Sequence, residues 1–172
     1  MTILRTLLAG SAAIALMSGT ASAADLLTPV PISDVSLFDF EGMYVGATGG
    51  LAWTGSGYGT LGIVVGNNFA VTDGIIAGLE FQADGYFGGG GLAGWDMLGL
   101  GRVGGFIDDN TMIYGELGAG VVGSSAVYAI GGGVEMALAD QLSVRGELQG
   151  LGAFGSMPSV GKATAGLIWH LN

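Results

Sequence analysis

Residues 75–87 read IIAGLEFQADGYF, with Glu80, Gln82 and Asp84 at every second position and Ile75, Ala77, Leu79, Phe81 and Ala83 between them. A period of two marks an extended strand whose two faces meet different surroundings. Alternation leaves the sense of those faces open, because a soluble sheet and a lipid-embedded sheet carry the same stripe.

Composition closes part of that question. Only 10% of the residues are charged and mean hydropathy is +0.63, whereas an average soluble domain is about 25% charged. A soluble chain of this make-up would lack polar groups to cover its surface. No apolar run after the first residues approaches the about 20 positions a membrane helix needs, and 36 glycines interrupt every candidate helix. Lipid admits one other spanning architecture, a closed β-barrel.

The chain begins MTILRTLLAGSAAIALMSGTASAADL. One basic residue, Arg5, a short apolar run and the small-x-small pattern Ala21-Ser22-Ala23 have the build of a secretory signal peptide. The expected organisation is a signal peptide over 1–23, an irregular leader over 24–40 and a barrel over 41–172. No cysteine is present, which excludes disulfides and thiolate metal or redox sites. Removing Arg5 takes the formal charge from −10 to −11, so nothing neutralises a phosphate backbone and nucleic-acid binding is excluded.

From Glu41 onward, alternating segments are separated by turn signals. Compact polar turns fall at 72–74, 108–110 and 139–141, and glycine- and serine-rich connections fall near 54–57, 88–94, 123–125 and 152–159. They divide the chain into eight strands, over about 42–53, 58–70, 74–87, 95–107, 111–122, 126–138, 142–151 and 160–171, each long enough to span a bilayer when tilted. The expected fold class is all-β: an eight-stranded antiparallel up-and-down transmembrane β-barrel with short loops, preceded by a signal peptide. Alternation is weakest in the second segment, LGIVVGNNF. Trp53, Tyr58, Tyr86, Phe87, Trp95, Tyr128 and Phe154 fall near one set of strand ends, and Tyr44, Phe69, Phe106, Tyr114 and Trp169 near the other. That distribution is expected to form two interfacial girdles. A soluble secreted barrel remains the rival architecture.

Parity places Glu80, Asp84, Arg102, Glu116, Glu135, Arg145, Glu147 and Lys162 on inward faces, where they are expected to form a polar network in a cramped lumen. Acids and bases there must pair or hydrate. Five carboxylates against three bases leave a surplus, so acids near Glu80 and Glu116 are expected to hold a proton or sit in water. Inward glycines such as Gly78, Gly118, Gly131 and Gly133 leave room for cavities, which keeps a cation pathway open as an alternative.

Other motifs carry less. Gly99-Leu100-Gly101-Arg102-Val103-Gly104 matches GxGxxG, but GFIDDN follows where a dinucleotide site needs a helix. The tetraglycine 88–91 lacks the Lys-Ser/Thr of a phosphate loop and reads as a flexible tip. His170, the one histidine, sits at the end opposite to where lipopolysaccharide acyl chains would lie, so no catalytic site, metal or cofactor is expected.

The stretch FDFEGMYVGATGG (38–50) resembles the opening of the small alphaproteobacterial outer-membrane β-barrel, porin-like family related to OmpA-type transmembrane domains. GNNFAVTDGIIAGLEF (66–81), GRVGGFIDDNTMIYGELGAG (101–120) and GGGVEMALADQLSVRGEL (131–148) are similar to it as well. The resemblance implies a non-enzymatic barrel in the cell outer membrane, in contact with membrane lipid and lipopolysaccharide. The last segment, with Gly166, Trp169 and Leu171, resembles the terminal signal read by the barrel-assembly machinery. The expected role is structural, in envelope integrity; the alternative is a narrow porin-like channel for water or small cations.

Overall fold

The computed structural model describes residues 38–171. The signal peptide (1–23), leader residues 24–37 and Asn172 lie outside the described residues.

Eight strands follow one another around a closed barrel: β1 (Gly42–Trp53), β2 (Gly57–Thr72), β3 (Ile75–Gly88), β4 (Gly91–Asp108), β5 (Thr111–Val122), β6 (Ser125–Ala139), β7 (Leu142–Gly152) and β8 (Val160–His170). Each pairs antiparallel with its neighbour, and β1 closes on β8 from Tyr44↔His170 to Trp53↔Gly161. No edge is left with unpaired backbone groups, which is the condition for a sheet to stand in hydrocarbon.

The connections are tighter than the sequence suggests. The tetraglycine 88–91 forms a tight turn rather than a flexible tip: β3 runs through Gly88, β4 begins at Gly91, and only Gly89 and Gly90 turn. Both have positive φ, 60° and 98°, the requirement at both central positions of the hairpin turn that matches strand twist. Three of the four ladder irregularities, at Ala70/Thr72, Phe106/Asp108 and Ala137/Ala139, fall beside the polar turns, where an extra residue raises local twist.

The exterior is apolar. Leu79 (67% exposed), Ile63, Leu117, Ile130, Leu148 and Leu167 stand outward in mid-strand. Every charged residue within the strands faces inward except Asp108 at the end of β4. An exterior of this kind suits acyl chains and would be unstable against water, so the sheet is a transmembrane β-barrel. The girdle expectation is corrected in part. Trp53, Phe87, Trp95 and Phe154 at the loop end, and Phe69, Phe106 and Trp169 at the turn end, are exposed on the outside. Tyr44, Tyr86 and Tyr114 are instead buried in the lumen: Tyr86 and Tyr114 share parity with the inward acids of their own strands, and Tyr44 with the inward Thr48.

The end of the leader packs into the barrel. Residues 38–41 are irregular, but Phe38 and Phe40 enter the turn-end mouth and pack with Ile76, Met112 and Tyr114. Asn68 Nδ2 donates to the Phe40 carbonyl at 2.8 Å, and both rings meet the His170 ring edge-on, at 4.9 and 5.9 Å. Gly42 follows with φ of 85°, a left-handed step that turns the chain from the mouth into the wall. A second apolar group, Leu98, Leu100, Val127, Ala129 and Leu151, lines the β4 to β7 side of the lumen.

Candidate functional site: the lumen polar network

An eight-stranded barrel has an interior only wide enough for side chains, and this one is filled by pairing large residues with glycine. Across neighbouring strands Tyr44 faces Gly66, Asp84 faces Gly62, Arg102 faces Gly78, and Leu100 faces Gly118. Glu116 faces Gly131, Tyr114 faces Gly133, and Arg145 faces Gly166. A Cβ at Gly131 would stand 2.8 Å from Glu116 Oε1, and one at Gly133 would stand 2.6 Å from Tyr114 Oη. The expected cavities at Gly78, Gly118, Gly131 and Gly133 are therefore absent: each glycine is the slot for a neighbouring side chain.

All eight predicted residues lie inside, each at most 6% exposed. Six of them, Glu80, Arg102, Glu116, Glu135, Arg145 and Glu147, gather in the middle of the barrel, while Asp84 and Lys162 join a separate group nearer the loop end. At the centre two guanidinium groups bridge two carboxylates. Arg145 Nη1 donates to Glu80 Oε2 at 2.6 Å, and its Nε and Nη2 donate to Glu135 Oε2 at 3.1 and 3.0 Å. Arg102 makes the parallel pair, Nη1 to Glu80 Oε2 at 3.1 Å and Nη2 to Glu135 Oε2 at 3.2 Å. Tyr44 Oη donates to Glu80 Oε2 at 2.5 Å. The Arg102 guanidinium lies 4.0 Å from the Tyr114 ring centroid, and that of Arg145 lies 5.2 Å from Tyr44. Forked donors and aromatic faces are what a desolvated arginine requires.

Neutral donors extend the network toward the loop end. Gln82 Nε2 donates to Glu80 Oε1 (2.8 Å) and Glu147 Oε1 (2.9 Å), and Tyr114 Oη donates to Glu147 Oε2 (2.6 Å). Gln149 Nε2 donates to Gln82 Oε1 (2.9 Å) and Glu116 Oε1 (2.7 Å). In the second group Lys162 Nζ donates to Asp84 Oδ2 at 2.7 Å and Asp96 Oδ2 at 3.2 Å, and Tyr86 Oη donates to Asp96. A recess of about 160 Å³ is lined by Tyr86 together with Ala52, Thr54, Tyr58, Gly94 and Val160 among others.

The polar network expected from the sequence omits Asp96, Ser143 and the three lumen tyrosines. Asp96 raises the lumen acids to six against three bases, and its parity with Arg102 on β4 was the available signal. Ser143 Oγ donates to Glu135 Oε1 at 2.7 Å, and His170 Nε2 lies 2.9 Å from that same oxygen and 3.4 Å from Ser143 Oγ. These three residue types suggest acyl-transfer chemistry, but the geometry does not. A triad holds the serine on one ring nitrogen and the acid on the other; here Nε2 meets both, and Nδ1 is buried without a partner. Phe38, Phe40 and Tyr44 cover the ring. Of the proposed terminal signal, Gly166 packs inward on Thr48, while Trp169 and Leu171 point outward.

No family model and no curated protein matches this chain. Solved structures do. A de novo designed transmembrane β-barrel shares 14% identity at a TM-score of 0.53, over 77% of this chain and 98% of its own. The attachment invasion locus protein Ail of Yersinia pestis, solved with the heparin analogue sucrose octasulfate, shares 12% identity at a TM-score of 0.51, over 73% of this chain and 93% of its own. At such identities the likeness is one of fold: the chain has the architecture of eight-stranded transmembrane barrels.

Proposed function

We propose that this chain is an integral outer-membrane β-barrel with a structural role in envelope integrity, without catalysis and without a conducting pore. The observation that carries this reading is the lumen itself. Arg145 and Arg102 clamp carboxylates from β3 and β6 across the interior, and Phe38 and Phe40 pack into the turn-end mouth. Such a barrel ties its own wall together and offers no water-filled path. The channel alternative depended on room beside the inward glycines, and that room is filled.

The lipid-facing exterior, the signal-peptide build of residues 1–23 and the resemblance to small alphaproteobacterial barrels together support an outer-membrane location. Membrane lipid, lipopolysaccharide and, during biogenesis, the barrel-assembly machinery acting on Gly166, Trp169 and Leu171 are the partners this reading implies. A polyanion like that bound to Ail is a poor fit here. The loop-end connections 54–56, 89–90, 123–124 and 153–159 contain no basic residue, and all three bases of the barrel are inside it.

Purified protein in planar bilayers should give no steady openings, and deletion of the gene should sensitise cells to detergent and bulky antibiotics. Steady ion-selective conductance would replace this reading with the channel.

A further inference from the structure

Glu116 and Glu147 are the lumen carboxylates left over by the central clamp. Glu80 and Glu135 hold both arginines at 3.2 Å or less, whereas Arg145 approaches Glu147 only to 3.9 Å. Among the described residues no basic group lies within ion-pairing distance of Glu116. The donors to these two acids are neutral: Gln82 and Tyr114 for Glu147, Gln149 for Glu116. The four central carboxylates thus share two guanidinium groups, and the two negative charges left in excess in a closed interior need a partner.

The geometry around them is that of a ligand set. One carboxylate oxygen from each of Glu80, Glu116 and Glu147 lies within 4.8 Å of the others. Two oxygens of this group of side chains are buried and make no hydrogen bond, Glu116 Oε2 and Gln149 Oε1. Gln149, 6% exposed, is held in place by donating to Glu116 and Gln82, which leaves its carbonyl oxygen unused. Glu80 keeps Oε1 on this side, because its Oε2 takes both arginines and Tyr44.

We propose that Glu80, Glu116, Glu147 and the Gln149 carbonyl bind one hard divalent cation of the calcium type midway along the lumen. Calcium takes oxygen ligands at about 2.4 Å, so ligands on opposite sides of the ion stand about 4.8 Å apart. The three carboxylate oxygens, within 4.8 Å of one another, fall inside that span. Magnesium demands strict octahedral geometry at about 2.1 Å and gives up its water reluctantly, so an all-protein cage suits it less. A charge of two also balances Glu116 and Glu147, where a single proton or sodium ion would leave one of them bare. The site ties β3, β5 and β7 together, and it goes beyond the structural role proposed above, which needs no ion.

The test is a metal count on folded protein. The full mature chain is unfolded in urea with chelator and refolded into detergent micelles with calcium, with folding scored by the mobility of unheated protein in SDS gels. After desalting, the wild type should retain about one calcium per chain. Glu116→Gln should lower retention by about tenfold or more, and Asp84→Asn, in the other cluster, should leave it unchanged. Gln149→Met reads the same site without altering charge: weaker retention supports the site, and unchanged retention overturns it. Folded wild type that keeps no calcium also overturns it, assigns the missing positive charge to protons, and leaves the envelope role standing.

Discussion

Arg145 shows how much of this interior depends on single side chains. It is 2% exposed and donates to carboxylates on two other strands, Glu80 of β3 and Glu135 of β6. Arg145→Ala removes one half of a buried pair and strands the other, which costs about 3–5 kcal/mol. Urea unfolding in micelles, followed by tryptophan fluorescence, should record that loss, whereas Leu79→Ala on the lipid face should cost far less. The eight inward charges were legible from parity alone, because ionisable residues are rare in this chain and alternation assigns each to a face. Asp96 and the tyrosines were not. Asp96 begins an inward row that continues as Leu98 and Leu100 before reaching Arg102, so its strand shows little contrast between its faces. Tyr44, Tyr86 and Tyr114 were placed by height along the strand, where an aromatic suits the interface. The phenol hydroxyl reverses that preference inside the barrel, where each of the three finds a carboxylate.

At the scale of the strand, glycine has two opposite meanings. Gly66 faces inward opposite Tyr44, and a Cβ there would overlap the ring and stand 2.9 Å from the Leu79 carbonyl. Gly146 points outward on β7 with no atom within 4 Å of the same addition. Gly66→Ala should therefore destabilise by about 1–3 kcal/mol through overpacking, while Gly146→Ala should stabilise by about 0.5 kcal/mol by removing backbone freedom. Equilibrium unfolding of the two variants in one detergent separates them by sign. The same duality explains why β2 was the hardest strand to read. Its inward row is Thr60, Gly62, Val64, Gly66 and Asn68, in which two glycines make way for Asp84 and Tyr44 and one valine looks like an outward residue. The run 88–91 failed for a related reason. Four glycines carry no facing information, yet a pair of them meets the positive-φ requirement of a two-residue hairpin turn, and the strands extend up to it.

For the whole molecule, the decisive quantity is the sign of an exterior substitution. Leu117 lies midway along β5, 62% exposed, with Gly101 and Ile130 across the neighbouring strands. In water, replacing an exposed leucine by arginine would be neutral or favourable, since it covers apolar surface with charge. In hydrocarbon, the same change places a guanidinium near the bilayer midplane and costs about 2–4 kcal/mol. Phe154, 63% exposed in the connection between β7 and β8, lies beyond the strands, where the penalty falls to about 0–1 kcal/mol. Leu117→Arg should thus lower unfolding stability in lipid vesicles by several times the effect of Phe154→Arg. A Leu117→Arg protein as stable as the wild type in vesicles would mean that this face never meets acyl chains. The inward set would then have to be explained as an ordinary soluble core, a role for which ten buried ionisable side chains would be an improbable filling.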